Sequence, residues 1–93
     1  GPVAAVVRVE NEAEALDLAN RDELGLDAAV FTADHDRAMS LAERIDAGAV
    51  RLNGAPSHGL GDVPFGGTGA SGIGRQGIDY TIESFVERKS IVL

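Results

Sequence analysis

Ser71 and the two histidines, His35 and His58, are the side chains that could supply a nucleophile and its general base. A nucleophile elbow has the pattern Gly-x-Ser-x-Gly, and residues 69–73 miss that pattern by one position. His35 falls in the first turn of a predicted helix, where we expect it at the surface. His58 lies in a loop and is the better candidate for a ligand contact. A lone loop histidine is more often a bystander than a catalyst, so no hydrolase pair is predicted.

Metal chemistry has equally little support. Asp34, His35 and Asp36 are adjacent potential ligands, but consecutive residues do not share one face of a helix. The sequence contains no cysteine, which excludes disulfides, thiolate metal sites and thiol nucleophiles within this chain. We therefore predict no metal site.

A glycine-rich stretch holds six glycines from Gly66 to Gly77, too many for an ordinary helix or strand. Two overlapping Gly-x-Gly-x-x-Gly matches begin at Gly67 and Gly72. A dinucleotide-binding fingerprint also needs a preceding strand, a long following helix, a second strand and an acidic residue about 20 positions on. Pro64-Phe65 is not a convincing strand, and too few residues follow for the remaining unit. We interpret the stretch as a loop packed closely against other backbone.

Arg75 is the one charged residue among these glycines. It could bind an anion, or it could pair with Glu83 or Glu87. Loop arginines commonly brace backbone carbonyls or carboxylates, and we expect this structural role here.

The first part of the chain alternates apolar and helical patterns. Residues 3–9 form a mostly apolar run rich in β-branched valine, which predicts a strand covered on both faces. Asn11, with Glu14 three residues later, predicts a capping box for a helix that continues to about Asn20. Gly25 marks the turn beyond that helix.

The same order then repeats. Residues 28–32 predict a second strand, and Asp34 predicts the N-cap of a second helix. The buried stripe of that helix has i, i+3, i+4, i+7 spacing and comprises Ala38, Leu41, Ala42 and Ile45. Gly48 suits the left-handed position after the helix, and residues 49–53 predict a third strand.

The order β-α-β-α-β with short connections predicts an α/β fold whose parallel strands are joined by right-handed crossovers. After the glycine-rich loop, the sequence predicts a short helix within residues 78–85 and a C-terminal strand over residues 86–93. An unpaired strand exposes a row of amides and carbonyls, and no neighbouring segment forms a hairpin with this one. We therefore expect the last strand to need a partner.

Composition limits the remaining possibilities. With 93 residues the chain forms one small domain, marginal alone, which favours its being a piece of something larger. Its net charge of -7 argues against nucleic acid and against anionic membrane surfaces as partners. No apolar run reaches membrane-spanning length, and the start lacks a signal-peptide pattern. We expect a cytoplasmic protein.

These motifs, taken in order, resemble the C-terminal part of the aldehyde dehydrogenase superfamily from one end of the chain to the other. Each motif alone is weak, but the ordered set at these spacings is highly specific. The matching segments are Gly1-Pro2-Val3, Glu14-Ala15, Ala19-Asn20, Leu24-Gly25-Leu26, Val30-Phe31-Thr32 with Asp34, Ala47-Gly48-Ala49-Val50 leading to Asn53, Pro64-Phe65-Gly66-Gly67, Ser71-Gly72, Gly74-Arg75, Gly77, and residues 86–92.

Three positions depart from the family pattern. Gly69 stands where the family usually has a lysine, Gln76 where it usually has a glutamate, and Leu24 where it usually has a tyrosine. The first two changes remove charges that could brace the loop, and they leave the argument about its backbone intact.

The resemblance implies oxidation of an aldehyde to an acid with NAD or NADP in the full-length enzyme. The family uses a cysteine nucleophile, a glutamate base and an amide-lined oxyanion hole. None of these groups is in this chain, and the cofactor domain would lie upstream. The resemblance therefore implies no catalytic residue here, no cofactor bound by this chain alone and an inactive isolated fragment.

The resemblance also assigns roles to parts of the chain. Residues 1–85 are similar to the end of the catalytic domain, and residues 86–93 are similar to a bridging strand that pairs across subunits. The loop from residue 54 to 65 would help to wall the substrate tunnel, with Phe65 and His58 facing it. The implied partners are the rest of the subunit and further copies of it in a homo-oligomer.

Two alternatives stay open beside the dehydrogenase fragment. The chain could be a naturally short, non-catalytic assembly module that binds a partner by strand addition. It could also be a small unrelated α/β domain whose glycine loop holds an anion. Tight nucleotide binding by this chain would favour the last of these.

Overall fold

The computed structural model describes residues 1–56 and 63–93. Within these ranges the chain forms three short helices and four short strands. In chain order these are α1 (Glu12–Ala19), β1 (Leu24–Gly25), β2 (Asp27–Val30), α2 (His35–Ala42), β3 (Ala49–Leu52), β4 (Thr68–Gly69) and α3 (Ile78–Ser84).

A parallel pair of strands lies at the centre of the fold. β2 and β3 run side by side from Asp27 opposite Ala49 to Val30 opposite Leu52. α2 connects them, because parallel neighbours need a crossover rather than a tight hairpin. The predicted α/β class and the parallel arrangement of the second and third strands are confirmed.

Both predicted helix starts are confirmed by their capping bonds. The Asn11 side chain accepts a hydrogen bond of 3.0 Å from the backbone N–H of Glu14. The Glu14 carboxylate in turn accepts from the backbone N–H of Glu10, one residue before the N-cap. Asp34 caps α2 in the same way, accepting a bond of 3.0 Å from the Arg37 backbone N–H. Each cap satisfies donors that the first turn of a helix otherwise leaves unpaired.

The apolar stripe of α2 lies against the parallel strands, as its spacing predicts. Ala38 is 1% exposed and Leu16 of α1 is 6% exposed, and these two make up the buried hydrophobic core of the described residues. Leu41, Ala42 and Ile45 are half-buried, although Ile45 lies beyond the end of the helix.

Two predicted strands do not form in this chain. Residues 3–9 and residues 86–93 have no strand pairing, and most of their side chains are exposed. A strand needs a neighbour for its backbone donors and acceptors, and within the described ranges β2 pairs only with β3. The predicted β-α-β-α-β unit is therefore reduced here to α1 followed by β2-α2-β3.

The predictions for two glycines also need correction. Gly25 was expected in the turn after α1, but it forms β1 with Leu24 and pairs with β4. Gly48 was expected in a left-handed conformation, yet it is not among the positive-φ glycines of the described residues. A side chain is excluded at this position for steric reasons, because a Cβ at Gly48 would overlap the carbonyl of Gly66.

The chain exposes far more surface than a compact protein of its mass. Its accessible surface is 7774 Å², whereas a folded monomer of this mass has about 5,100 Å². Its radius of gyration is 17.0 Å, against about 12 Å for a compact domain of this length. A large part of the chain thus lacks the packing that a self-contained domain provides. In the described ranges no helix is long and apolar enough to cross a membrane.

Candidate functional site

The glycine-rich segment, residues 63–77, is called the glycine loop below. It folds into a series of tight turns that only small residues permit at some positions. Gly69 has a φ of 55° and Gly74 a φ of 74°, both in the left-handed region that side chains disfavour. The glycines therefore set the path of the backbone, as predicted from their number.

The glycine loop attaches to the segment after α1 through a short antiparallel ladder. β4 pairs with β1, placing Gly69 opposite Leu24 and Thr68 opposite Gly25. The ladder is extended by the backbone N–H of Ala70, which donates to the Glu23 carbonyl at 2.8 Å. This ladder could not be predicted from the sequence, because two-residue strands carry no periodicity.

Gly25 is the centre of this attachment, and each of its backbone groups has a partner. Its N–H donates to the side-chain oxygen of Ser71 at 2.9 Å. Its carbonyl accepts from the backbone N–H of Gly48 at 2.9 Å and from the Thr68 hydroxyl at 3.3 Å. The junction of Gly25, Gly48, Thr68 and Ser71 thus joins three distant parts of the chain. Ser71 has a structural role here, because its hydroxyl oxygen accepts the bond from Gly25.

Close backbone approach requires small residues in the part of the glycine loop beside the junction. A Cβ at Gly67 would overlap Ser71, and a Cβ at Gly69 would overlap the carbonyl of Glu23. Gly25 and Gly67 are both buried. The prediction of a loop packed closely against other backbone is confirmed.

Arg75 braces the loop from inside. Its guanidinium donates to the carbonyl of Gly67 at 2.9 Å and to the carbonyl of Gly74 at 3.0 Å. Among the described residues it forms no ion pair, and Glu83 instead lies 3.7 Å from Arg88. The predicted structural role of Arg75 is confirmed in its carbonyl-bracing form.

The glycine loop does not have the features of a phosphate cradle. Such a cradle presents free backbone N–H groups at the start of a long helix. Here the N–H groups of Ala70 and Ser71 donate to carbonyls of the protein itself. The following helix, α3, has only seven residues and no side-chain cap. The N–H groups of Ala70 and Ser71 are therefore not available to a phosphate.

Phe65 lies at the start of the glycine loop and is half-buried. Its backbone exchanges two hydrogen bonds with Gln76, of 2.8 and 2.6 Å, which close the loop at its base. Together with Leu26 and Ile73 it borders a shallow cavity of about 180 Å³. The second predicted tunnel residue, His58, lies outside the described residues, so the two cannot be placed together. Their tunnel-facing role stays a prediction.

Two asparagine clamps were missed by the sequence analysis. Asn53 exchanges two side-chain hydrogen bonds of 2.9 Å with the backbone of Thr32. Asn20 donates to the Arg44 carbonyl at 2.8 Å and accepts from the Asp46 N–H at 2.9 Å. Each amide joins the ends of two elements. The one available signal was the Asn53-Gly54 pair directly after a strand, since asparagine tolerates the positive φ of 54° found there.

The described residues contain no group of three or more histidine, aspartate or glutamate side chains that could hold a metal ion. His35 lies exposed in the first turn of α2, as predicted.

Comparison with known proteins assigns the family. The model of the aldehyde dehydrogenase family matches residues 1–91. A lactaldehyde dehydrogenase from Methanococcus maripaludis is 41% identical over 93 residues, which is 100% of this chain and 20% of the relative. A succinate-semialdehyde dehydrogenase [NADP(+)] from Deinococcus radiodurans is 45% identical over 91 residues, 98% of this chain and 19% of the relative.

A solved structure agrees with the sequence matches. The betaine aldehyde dehydrogenase of Staphylococcus aureus in complex with NAD+ superimposes with a TM-score of 0.85 at 36% identity, covering 91% of this chain and 17% of that one. The chain therefore belongs to the aldehyde dehydrogenase family, as the motifs indicated. It spans about a fifth of the length of the curated relatives it matches.

Proposed function

We propose that this chain works as the C-terminal part of an aldehyde dehydrogenase subunit that oxidises an aldehyde to a carboxylic acid with NAD or NADP. The proposal rests on a comparison of how much of this chain and how much of a relative take part in the match. The family match covers residues 1–91 of this chain, while the chain covers only 20% of a relative.

The exposed surface supports a role inside a larger subunit. Valines near the start are almost fully exposed, with Val3 at 89% and Val6 at 93%. Apolar side chains at the other end are similarly exposed, with Ile91 at 80% and Val92 at 90%. Leaving such side chains in water forgoes about 1.5–3 kcal/mol each relative to burial. The rest of the subunit would supply the missing cover.

The chemistry of the reaction would come from the rest of the subunit. This chain has no cysteine to act as the nucleophile. In its glycine loop, the N–H groups of Ala70 and Ser71 already donate to carbonyls of the protein. Its own contribution would be to shape the substrate tunnel with Phe65 and His58. The bonds between Phe65 and Gln76 would hold the first of these in place.

Residues 86–93 would form the bridging strand of a homo-oligomer. They carry charged residues in the middle and apolar residues at the C-terminal end. Their backbone has no strand partner within the described part of the chain. Adding such a segment to the open edge of another subunit's sheet would satisfy its donors and acceptors. The predicted division into residues 1–85 and 86–93 follows from this role and remains a proposal, as does the predicted cytoplasmic location.

An activity assay tests the main proposal. The native protein that carries this chain is incubated with lactaldehyde or succinate semialdehyde and with NAD or NADP, and formation of the reduced nicotinamide is followed by absorbance. We expect turnover by the native protein and none by the 93-residue chain alone. Turnover by the isolated chain would contradict the proposal, and so would an inactive native protein that has the mass of this chain.

The second outcome would favour the alternative of a short assembly module. The mass of the native subunit therefore separates the two interpretations directly, because a dehydrogenase subunit is several times heavier than this chain.

Removing residues 86–93 from the native protein tests the bridging role. Sedimentation should then report a smaller assembly, and an unchanged assembly would refute that role.

A further inference from the structure

Asn53 and Gly54 follow the last residue of β3. Asn53 is exposed. Its backbone φ of 54° turns the chain away from the strand. The side-chain oxygen accepts from the backbone N–H of Thr32, and the side-chain nitrogen donates to the Thr32 carbonyl, both at 2.9 Å. The backbone N–H of Asn53 also donates to the Val30 carbonyl at 2.8 Å. These three bonds fasten the end of β3 to the end of β2.

The clamp depends on a carboxamide, because Thr32 offers it one donor and one acceptor. An aspartate at this position would keep the acceptor and lose the donor, and its charge would lie beside the Thr32 carbonyl oxygen. An asparagine followed by glycine is also the sequence in which side-chain amides are most readily lost. Glycine has no Cβ to shield its backbone nitrogen from the preceding side chain.

We propose that Asn53-Gly54 is a latent deamidation site, protected in the folded protein by the two hydrogen bonds to Thr32. Conversion of Asn53 to aspartate or isoaspartate opens the clamp between β2 and β3. The site is a modification site of the chain itself and is independent of any catalytic role.

The modification needs only water. The Gly54 backbone nitrogen loses its proton to solvent base and attacks the side-chain carbonyl carbon of Asn53. A carbon–nitrogen bond forms, the bond to the side-chain nitrogen breaks, and that nitrogen leaves as ammonia. Water then opens the resulting five-membered imide at either carbonyl, which gives aspartate or isoaspartate. No atom changes its oxidation state.

The fold opposes the first of these steps. Attack requires the carboxamide of Asn53 to turn its face toward the Gly54 nitrogen, and both bonds to Thr32 must break for that rotation. Backbone strain at Gly54 is not involved, because its φ is not in the left-handed region. Among the described residues, a Cβ at Gly54 would meet only the Leu52 carbonyl, at 3.9 Å. Gly54→Ala is therefore a variant that leaves the clamp in place and shields the nucleophilic nitrogen.

The test compares deamidation at Asn53 in three samples held at mildly alkaline pH. They are the folded native protein, the same protein in denaturant, and the denatured Gly54→Ala variant. Peptide mapping by mass spectrometry measures aspartate and isoaspartate at position 53. We expect Asn53 to react at least about tenfold more slowly in the folded protein than in denaturant, a difference of about 1.4 kcal/mol in barrier. The denatured variant should also react more slowly than the denatured wild type.

Asn20 provides an internal control, since it has an equivalent clamp but is followed by Arg21. In denaturant it should react more slowly than Asn53. Equal rates at Asn53 in the folded and denatured protein would overturn the proposed protection. Hydrogen exchange at the backbone amide of residue 53, which donates to the Val30 carbonyl, gives the second test. Its protection from exchange should be lower in Asn53→Asp than in the wild type, and unchanged protection would overturn the proposed opening.

Discussion

The side-chain oxygen of Ser71 accepts a hydrogen bond of 2.9 Å from the backbone N–H of Gly25, which lies 46 residues earlier in the chain. Gly25 is buried, so water cannot replace this acceptor without opening the junction. The bond therefore links the glycine loop to the segment after α1, and it identifies Ser71 as a residue that holds the loop in place.

Ser71→Ala should destabilise the native protein by about 1–3 kcal/mol, because it leaves the buried Gly25 N–H without an acceptor. The thermal unfolding midpoint measures the effect. Ser40→Ala is the matched control, since Ser40 is exposed on α2. Equal midpoints for the two variants would show that the Ser71 bond contributes nothing.

Gly48→Ala should cost about 1–3 kcal/mol, because the added Cβ would overlap the Gly66 carbonyl and push the glycine loop away from β3. Gly54→Ala places the same methyl group at an ordinary contact distance, 3.9 Å from the Leu52 carbonyl, and should be neutral or slightly stabilising. Denaturant titration of both variants gives the comparison. A Gly48→Ala protein as stable as Gly54→Ala would contradict the close approach.

Asn20→Ala should weaken the contact between α1 and the turn after α2, since it removes bonds to the Arg44 carbonyl and to the Asp46 N–H. We expect a loss of about 1–2 kcal/mol for two exposed bonds. Asp17→Ala, an exposed change in the same helix, serves as the control. Faster hydrogen exchange at the Asp46 amide should accompany the loss, and its absence would argue against the clamp.

Asp34→Ala should destabilise α2 by about 1 kcal/mol, because the first turn of the helix loses the acceptor for the Arg37 N–H. Asp34→Ser retains a capping oxygen and should restore most of the stability. Unfolding midpoints of the two variants provide the measurement. If serine rescued nothing, the contribution of Asp34 would have to come from its charge.

The isolated 93-residue chain should be marginally stable or should self-associate. Its surface of 7774 Å² includes apolar arms that the chain itself does not cover. Sedimentation at several concentrations and a thermal scan test this expectation. A monomer with a sharp unfolding transition at high temperature and low concentration would contradict it.

The sequence predicted those elements whose signals are local. Asn11 and Asp34 could be recognised as caps because each bond spans three residues. The stripe through Ala38 could be recognised because burial repeats with the period of a helix. The ladder of β1 and β4 could not, since two-residue strands have no period and their pairing depends on distant backbone. The strand predicted over residues 3–9 does not form, because an apolar pattern shows that a segment could be a strand but does not show that a neighbouring strand is present to pair with it.

The candidate site was predictable in its residue types and not in its bonds. The density of glycines indicated close packing, but it did not indicate that Gly48 leaves room for the carbonyl of Gly66. Arg75 was expected to brace carbonyls or carboxylates, and its partners proved to be Gly67 and Gly74. Asn53 was assigned to the end of a strand. The Asn53-Gly54 pair could have indicated the turn there, but not the clamp to Thr32, which lies 21 positions away.

The separation between Gly25 and its partners has a consequence for the order of assembly. A ribosome releases the amino-terminal side first, so the β1 segment leaves the exit tunnel well before Thr68 and Ser71 do. During that interval the backbone N–H of Gly25 lacks its Ser71 acceptor and has only solvent as a partner. Docking of the glycine loop is consequently a late event in biogenesis, and slow translation through residues 54–68 would prolong the time for which this edge is available to chaperones.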